Sequence, residues 1–246
     1  SSRGSLYSSA SRASRRRARA AAGESSAPAF GDPRPAGVAS LPVVSFCCFD
    51  PEQVWDAERG YLGNFFDLGH SGLALEAPCE RGKRKAFRNA EAAFHALKFW
   101  YLADRFAGLS GHDALQKQGR LTAHADWTYG GYGSMWQGMR AVLNAKFERL
   151  SPQAAALRST GDAFLLAHDP APGRDRVWSD NCDGEGLNWL GVQLMLVRDE
   201  LTRERGWTDY LRGLFDLESG VLAGPAAAKE WQAVVQRAAA VAAVRR

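Results

Sequence analysis

The chain has 246 residues, room for one domain of ordinary size and a tail. It is 46% hydrophobic and 24% charged, as globular proteins are, and no apolar run approaches the roughly 18 residues that a membrane span needs. The net charge of +4 is unevenly placed: residues 1–40 hold seven Arg against Glu24 and Asp32, while the other 206 residues hold 24 basic and 25 acidic side chains. The part expected to fold is therefore close to neutral, which argues against a basic groove for long duplex nucleic acid but not against a small phosphate-bearing ligand.

Residues 1–40 are Ser, Ala, Arg, Gly and Pro with almost no large apolar side chains. Such a stretch cannot bury enough surface to offset its ordering entropy and is expected to be a disordered basic tail. Its Arg- and Ser-rich, acid-poor make-up fits a plastid or mitochondrial transit peptide and fits a generic basic linker equally well. The cysteines are Cys47, Cys48, Cys79 and Cys182, with no C-x-x-C. That pattern suits neither a zinc site nor a disulfide framework, and it implies reduced thiols in an intracellular compartment, cytoplasmic or organellar.

In chain order, LPVVSFCCF (41–49) reads as a buried strand. Residues 50–88 are irregular, with space for one or two short strands. Asn89 is placed to cap a helix running to about residue 106. Residues 108–134 hold a short helix and then the glycine-rich DWTYGGYGS. Helices are expected over 134–148 and 151–157, and a strand over 160–168. A polar loop then delivers a strong helix in which Leu187, Leu190, Leu194, Val197 and Leu201 recur at helical spacing, with Gly206 as its stop. The last 25 residues suggest a C-terminal helix. The class is mainly α, an α+β chain with a small sheet, divided as 1–40 (tail), 41–215 (domain) and 216–246 (helical extension).

Two segments carry chemistry. In NAEAAFHALKFW (89–100), Glu91, His95 and Lys98 share one helical stripe, because seven residues at about 100° each return to within about 20° of the start. The stripe is either a wet face or the floor of a pocket. The apolar residues covering the rest of the circumference favour a buried helix, whose polar groups need partners or a cavity. In RDRVWSDNCDGEGLNWLG (174–191), Asp175, Trp178, Asp180, Asp183 and Glu185 crowd a loop that ends at a helix start. A helix N-terminus suits an anionic ligand, Asn188 can reach loop and ligand, and Trp178 offers a flat face to a heterocyclic ring. An ordinary acidic loop capping a helix would look the same. No phosphate loop, nucleophile elbow or dinucleotide fingerprint is present. DNCDGEG places Cys182 and Gly184 where calcium would want oxygen, so no metal and no cofactor are expected.

These segments, in this order over roughly 60–202, resemble the YbiA-like N-glycosidase (NADAR) family. GYLGNFF matches that family's G-x-x-S-N-F at Asn64 and Phe65, with Gly63 for the serine. AEAAFHALKF matches S-E-H-x-x-Q-A-x-K-F at Glu91, Ala96, Lys98 and Phe99, with Ala92 at the usual His and His95 at the Gln. MRAVLNAKF (139–147) matches M-x-x-x-L-x-x-K-F, and the Trp that precedes it is Trp136 or Trp127. His168, Asp175, Trp178, Gly184, Gly186, Asn188, Leu190, Gly191, Leu194, Met195 and Arg198 follow the long last motif, with Ser179 for its first glycine.

The resemblance implies a YbiA-like helical domain that cleaves an N-glycosidic bond at ribose C1. Its substrate class is either ADP-ribosylated guanine, which the departures favour, or a phosphorylated ribosylaminopyrimidine of riboflavin synthesis. It implies Glu91 and Lys98 as catalytic groups, with Lys98 acting either as a cation or as an amine that forms a Schiff base. It implies Asn64, Phe65, His95, Trp136, Asp175, Trp178, Asp180 and Asn188 as substrate-binding, with Trp178 and Trp136 sandwiching the base. A binding module that senses NAD or ADP-ribose without turnover is the alternative. ADP-ribosylated nucleic acid is a further expected partner, with Arg15–Arg17 touching its phosphates.

Overall fold

In the computed structural model, residues 41–47 and 57–244 are described. The expected tail, the proposed transit peptide, Arg15–Arg17 and Cys48 lie outside them. Strand β1 (Val43–Cys47) pairs in parallel with β4 (Phe164–His168), Val43 opposite Phe164 and Cys47 opposite His168. All five residues of β4 are buried, as a strand covered on both faces must be. A second pair, β2 (Leu73–Glu76) and β3 (Arg84–Phe87), is antiparallel, with Leu73 opposite Phe87. Among the described residues the small sheet content expected takes the form of two two-stranded pairs.

The α-helices among the described residues are α1 (Ala90–Leu97), α2 (Gly111–Leu121), α3 (Met135–Lys146), α4 (Pro152–Ser159), α5 (Trp189–Thr202), α6 (Gly206–Arg212) and α7 (Pro225–Val244). Asn89, Ser110, Ser134 and Ser151 cap the first four, each side chain accepting a backbone N–H in the first turn. The helix expected to reach residue 106 stops at Leu97. Phe99 leaves the helical region, at φ −139°, and a 3₁₀ turn, Trp100–Arg105, follows. Phe99 and Phe106 then stack face to face across that turn, 5.9 Å apart, so apolar residues beyond the helix are buried without helical backbone. Gly206 does not end α5. Arg203, at φ 64°, does so, and Gly206 opens the seven-residue α6, whose start is held by Asp199 Oδ2 accepting from the N–H and hydroxyl of Thr208.

Helix α5 lies directly against β4. A Cβ on Gly191 would come within 2.1 Å of the Leu165 carbonyl oxygen, so only glycine permits this approach. Asn188 completes the joint. It is fully buried at φ 53°; its Oδ1 accepts from Ala167 N and its Nδ2 donates to Leu165 O, both at 2.9 Å. The side chain thus acts as an extra strand on the edge of β4. Helix α7, within the stretch expected to be an extension, packs on β4 and β1; its buried Trp231 donates to Leu187 O. No described helix is long and apolar enough to cross a membrane.

One charged group sits deep in this frame. Lys146, at the end of α3, is 2% exposed and donates to Gly63 O (2.7 Å) and Leu62 O (3.4 Å). Burial alone pushes its amine down to about 7. It fastens the C-terminal end of α3 to the backbone just before Asn64.

Two outcomes follow for stability. Asn188→Ala loses both strand-like hydrogen bonds and puts alanine in the left-handed region, which should cost about 3 kcal/mol in urea unfolding. For Lys146, the unfolded amine keeps its proton up to about pH 10.5 while the folded one releases it near 7. Between those values the unfolded state binds more protons, so stability rises with pH. Wild type should therefore gain stability relative to Lys146→Met as the buffer goes from pH 7 to pH 10; a difference that stays flat would show that Lys146 keeps its proton when folded.

Candidate active site

All eight residues of α1 are buried, Glu91 and His95 among them. Its polar stripe therefore cannot be a wet face. It faces a cavity of about 460 Å³. Asn64, ahead of α1, and Lys98, its C-cap, belong to the same wall. The backbone carbonyl of Asn64 accepts from Glu91 N at 3.1 Å, which sets Asn64 beside the first turn. Leu115 of α2, Met135 and Met139 of α3, and Leu190 of α5 supply the apolar lining. The loop before α5 closes it with Arg174, Asp175 and Trp178.

The polar groups are held apart in pairs. Glu91 Oε1 faces His95 Nε2 at 2.9 Å. Lys98 Nζ turns instead to Gln118 Oε1 of α2, at 3.0 Å. It lies 5.7 Å from the ring centroids of Phe94 and Trp127 and 5.8 Å from that of Tyr129, a cage suited to a cation. Burial nevertheless holds its amine below the usual lysine range, with the Glu91 charge opposing. Between desolvation and the neighbouring carboxylate, desolvation wins. Asp175 accepts from Val177 N (2.8 Å) and Trp178 N (2.9 Å) through Oδ1, which fixes the loop and orients Trp178. Its carboxyl is pushed up, first by burial and further by Asp169 and Glu91, against those two N–H groups. The site thus joins a carboxylate, an amine easier to deprotonate than usual and a carboxyl easier to protonate than usual.

Six of the expected residues meet here: Asn64, Glu91, His95, Lys98, Asp175 and Trp178. Four do not line this cavity. Phe65 packs edge-on to His112, 5.0 Å away, beneath Gly111 at the start of α2. Trp136 lines a different cavity from Met135 and Met139, donating to Leu217 O and packing against Trp189 at 5.0 Å. A Trp136–Trp178 sandwich is therefore not formed. The aromatic wall is Phe94, stacked on Tyr129 at 5.3 Å and edge-on to Trp178 at 5.5 Å.

Asp180, fully buried, bonds His168 Nδ1 at 2.5 Å and accepts from Asp169 N and Cys182 N, so it anchors the loop to the end of β4. Asn188 anchors α5 to the same strand.

Phe94, Tyr129 and Met135 carry no site signal of their own in the sequence, and Met139 enters only as the first residue of the MRAVLNAKF match. What could have marked the two methionines together is their i,i+4 spacing on α3, one residue away from the more conspicuous Trp136. Among the described residues no group of three or more His, Cys, Asp or Glu is placed to hold a metal ion.

No family model matches the chain. A riboflavin biosynthesis protein of Vibrio vulnificus is 29% identical over 147 residues, 59% of this chain and 36% of that protein. The N-glycosidases YbiA of Shigella boydii and of Escherichia coli are each 39% identical over 69 residues, 28% of this chain and 41% of theirs. The chain thus spans well under half the length of the curated relatives it matches. The NMR structure of E. coli YbiA is similar at 23% identity, over 66% of this chain and 86% of that one, with a TM-score of 0.48. By these sequence likenesses the chain is similar to the YbiA N-glycosidases and to the riboflavin biosynthesis protein.

Proposed function

We propose that the protein is an N-glycosidase that hydrolyses the bond between ribose C1 and a nitrogen heterocycle in a phosphorylated ribose or ADP-ribose conjugate. The observation that carries this is the meeting of Glu91, Lys98 and Asp175 around one cavity with an aromatic wall. Relatives named N-glycosidase and riboflavin biosynthesis protein support the reaction class.

Breaking such a bond builds positive charge on the sugar ring and negative charge on the departing nitrogen. Glu91 supplies a carboxylate for the first. Asp175, whose carboxyl is pushed up, supplies a proton for the second. Lys98, with its amine pulled down, adds to C1 as the bond to the heterocycle breaks; the C1–O4 bond then opens with a proton passing from the lysine nitrogen to O4, and water hydrolyses the resulting imine to free the sugar and regenerate the amine. Phe94, Tyr129 and Trp178 receive the flat heterocycle. The site takes ADP-ribosylated guanine before the riboflavin-pathway intermediates, because His95 and Ala92 stand where the family pattern has Gln and His.

The test is a panel with purified protein, reading free ADP-ribose from ADP-ribosylated guanosine and ribose 5-phosphate from the pyrimidine intermediates. Wild type should release product, and Glu91→Gln should lose about 10³-fold in rate. Full activity in that variant removes Glu91 from the mechanism, and tight ADP-ribose binding without product marks a sensor instead. Borohydride added during turnover should leave an adduct on Lys98 by mass spectrometry; an unmodified Lys98 peptide rejects the imine. The rate should pass through a maximum as pH is varied, because turnover needs the neutral Lys98 amine and the protonated Asp175 carboxyl together.

A further inference from the structure

Helix α2 lies against α1 and is tied to it at two points. At the start, Asn89 Nδ2, from the residue that caps α1, donates to Leu109 O at 2.8 Å. At the far end, Lys98, the C-cap of α1, donates from Nζ to Gln118 Oε1 at 3.0 Å. An amide oxygen accepts from a lysine nitrogen whether that nitrogen is charged or neutral, so this second tie holds in both protonation states.

The charged groups around Lys98 are engaged elsewhere. Lys98 itself is 7% exposed. Glu91 Oε1 faces His95 Nε2 at 2.9 Å. Asp126, whose N–H donates to Lys98 O, turns its carboxylate onto Thr128 and Gly130 N. On α2, Lys117 Nζ sits over the Phe106 ring and Arg120 is exposed. Arg174 and Asp175 belong to the loop that closes the cavity, where Asp175 is bonded to Val177 N and Trp178 N. The side chain that takes a hydrogen from Lys98 is thus an uncharged amide. The rings of Phe94, Trp127 and Tyr129 favour the ammonium, and burial favours the amine. A carboxylate in place of Gln118 would add to the first side of that balance.

We infer that Gln118 is a positioning residue: it holds the Lys98 nitrogen among the three rings and off Glu91, on an acceptor that carries no charge. Its use rests on the N-glycosidase reading, in which Lys98 adds to ribose C1 as the free amine. The carboxylate of Glu91 then stays available for the charge that builds on the sugar.

Trace acetylation with acetic anhydride, read residue by residue by mass spectrometry from about pH 6 to pH 11, follows the free amine at Lys98 without any N-ribosyl substrate. The exposed Lys229 of α7 is the internal reference. In the wild type, Lys98 should gain reactivity at a lower pH than Lys229. Its profile should move up by about 1 in pH in Gln118→Glu, which places a charge beside the nitrogen, and likewise in Gln118→Met, which lets the nitrogen swing to Glu91. Adding Glu91→Gln to Gln118→Met should bring the profile back down. A wild-type Lys98 profile that coincides with that of Lys229, or one that stays put in either single variant, overturns the inference. Failure of the cleavage reading is separate: profiles that move as expected while no N-ribosyl compound is hydrolysed sink the glycosidase and leave a lysine tuned by its neutral neighbour.

Discussion

The complete burial of α1 governs the site. A helix with no solvent face must satisfy its polar side chains internally, and this one with its C-cap carries three within eight residues. The solution is a hollow. Glu91 meets His95, Lys98 meets Gln118, and the cavity they line is walled elsewhere by aromatic rings and methionines together with Asn64, Arg174 and Asp175. The electrostatics follow from that seclusion. The Lys98 amine is pulled down and the Asp175 carboxyl pushed up by the same desolvation, so both groups are shifted toward their neutral forms without being paired to each other.

The loop before α5 shows a division of labour. Asp175 and Trp178 face the cavity, whereas Asp180 and Asn188 bind the loop and helix to β4. The anchors are as thoroughly buried as any apolar core residue. They decide where Trp178 stands, and so they act on the site only by holding its far wall. Lys146 plays a comparable part on the near wall, fastening the backbone that leads to Asn64.

Much of this was legible in the sequence, for identifiable reasons. The stripe on α1 could be read because its spacing is local and Asn89 marks the start. The aromatic and acidic loop could be read because its residue types are unusual together. Which acids point inward could not, since the partners of Asp180 are His168 and backbone groups that only the fold brings near. Trp136 and Trp178 looked like a pair because each is a tryptophan beside a site motif, but one residue on a helix turns a side chain by about 100°. Trp136 lines a different cavity from Met135 and Met139. The early end of α1 was hidden because Phe99 and Trp100 continue the apolar pattern in a 3₁₀ turn. The seven-residue α6 gives too short a period to stand out.

The parallel pairing of β1 with β4 has a consequence for how the molecule assembles. The two strands flank the whole of α1 to α4, so their ladder closes a loop longer than most small domains. Loop closure on that scale comes late, and proteins dominated by such distant contacts fold slowly. During synthesis β1 emerges long before its partner, and α7, which packs against both strands, emerges later still. Until then an apolar strand stands with an unpaired edge, so the nascent chain depends on protection from aggregation more than its helical content alone would suggest.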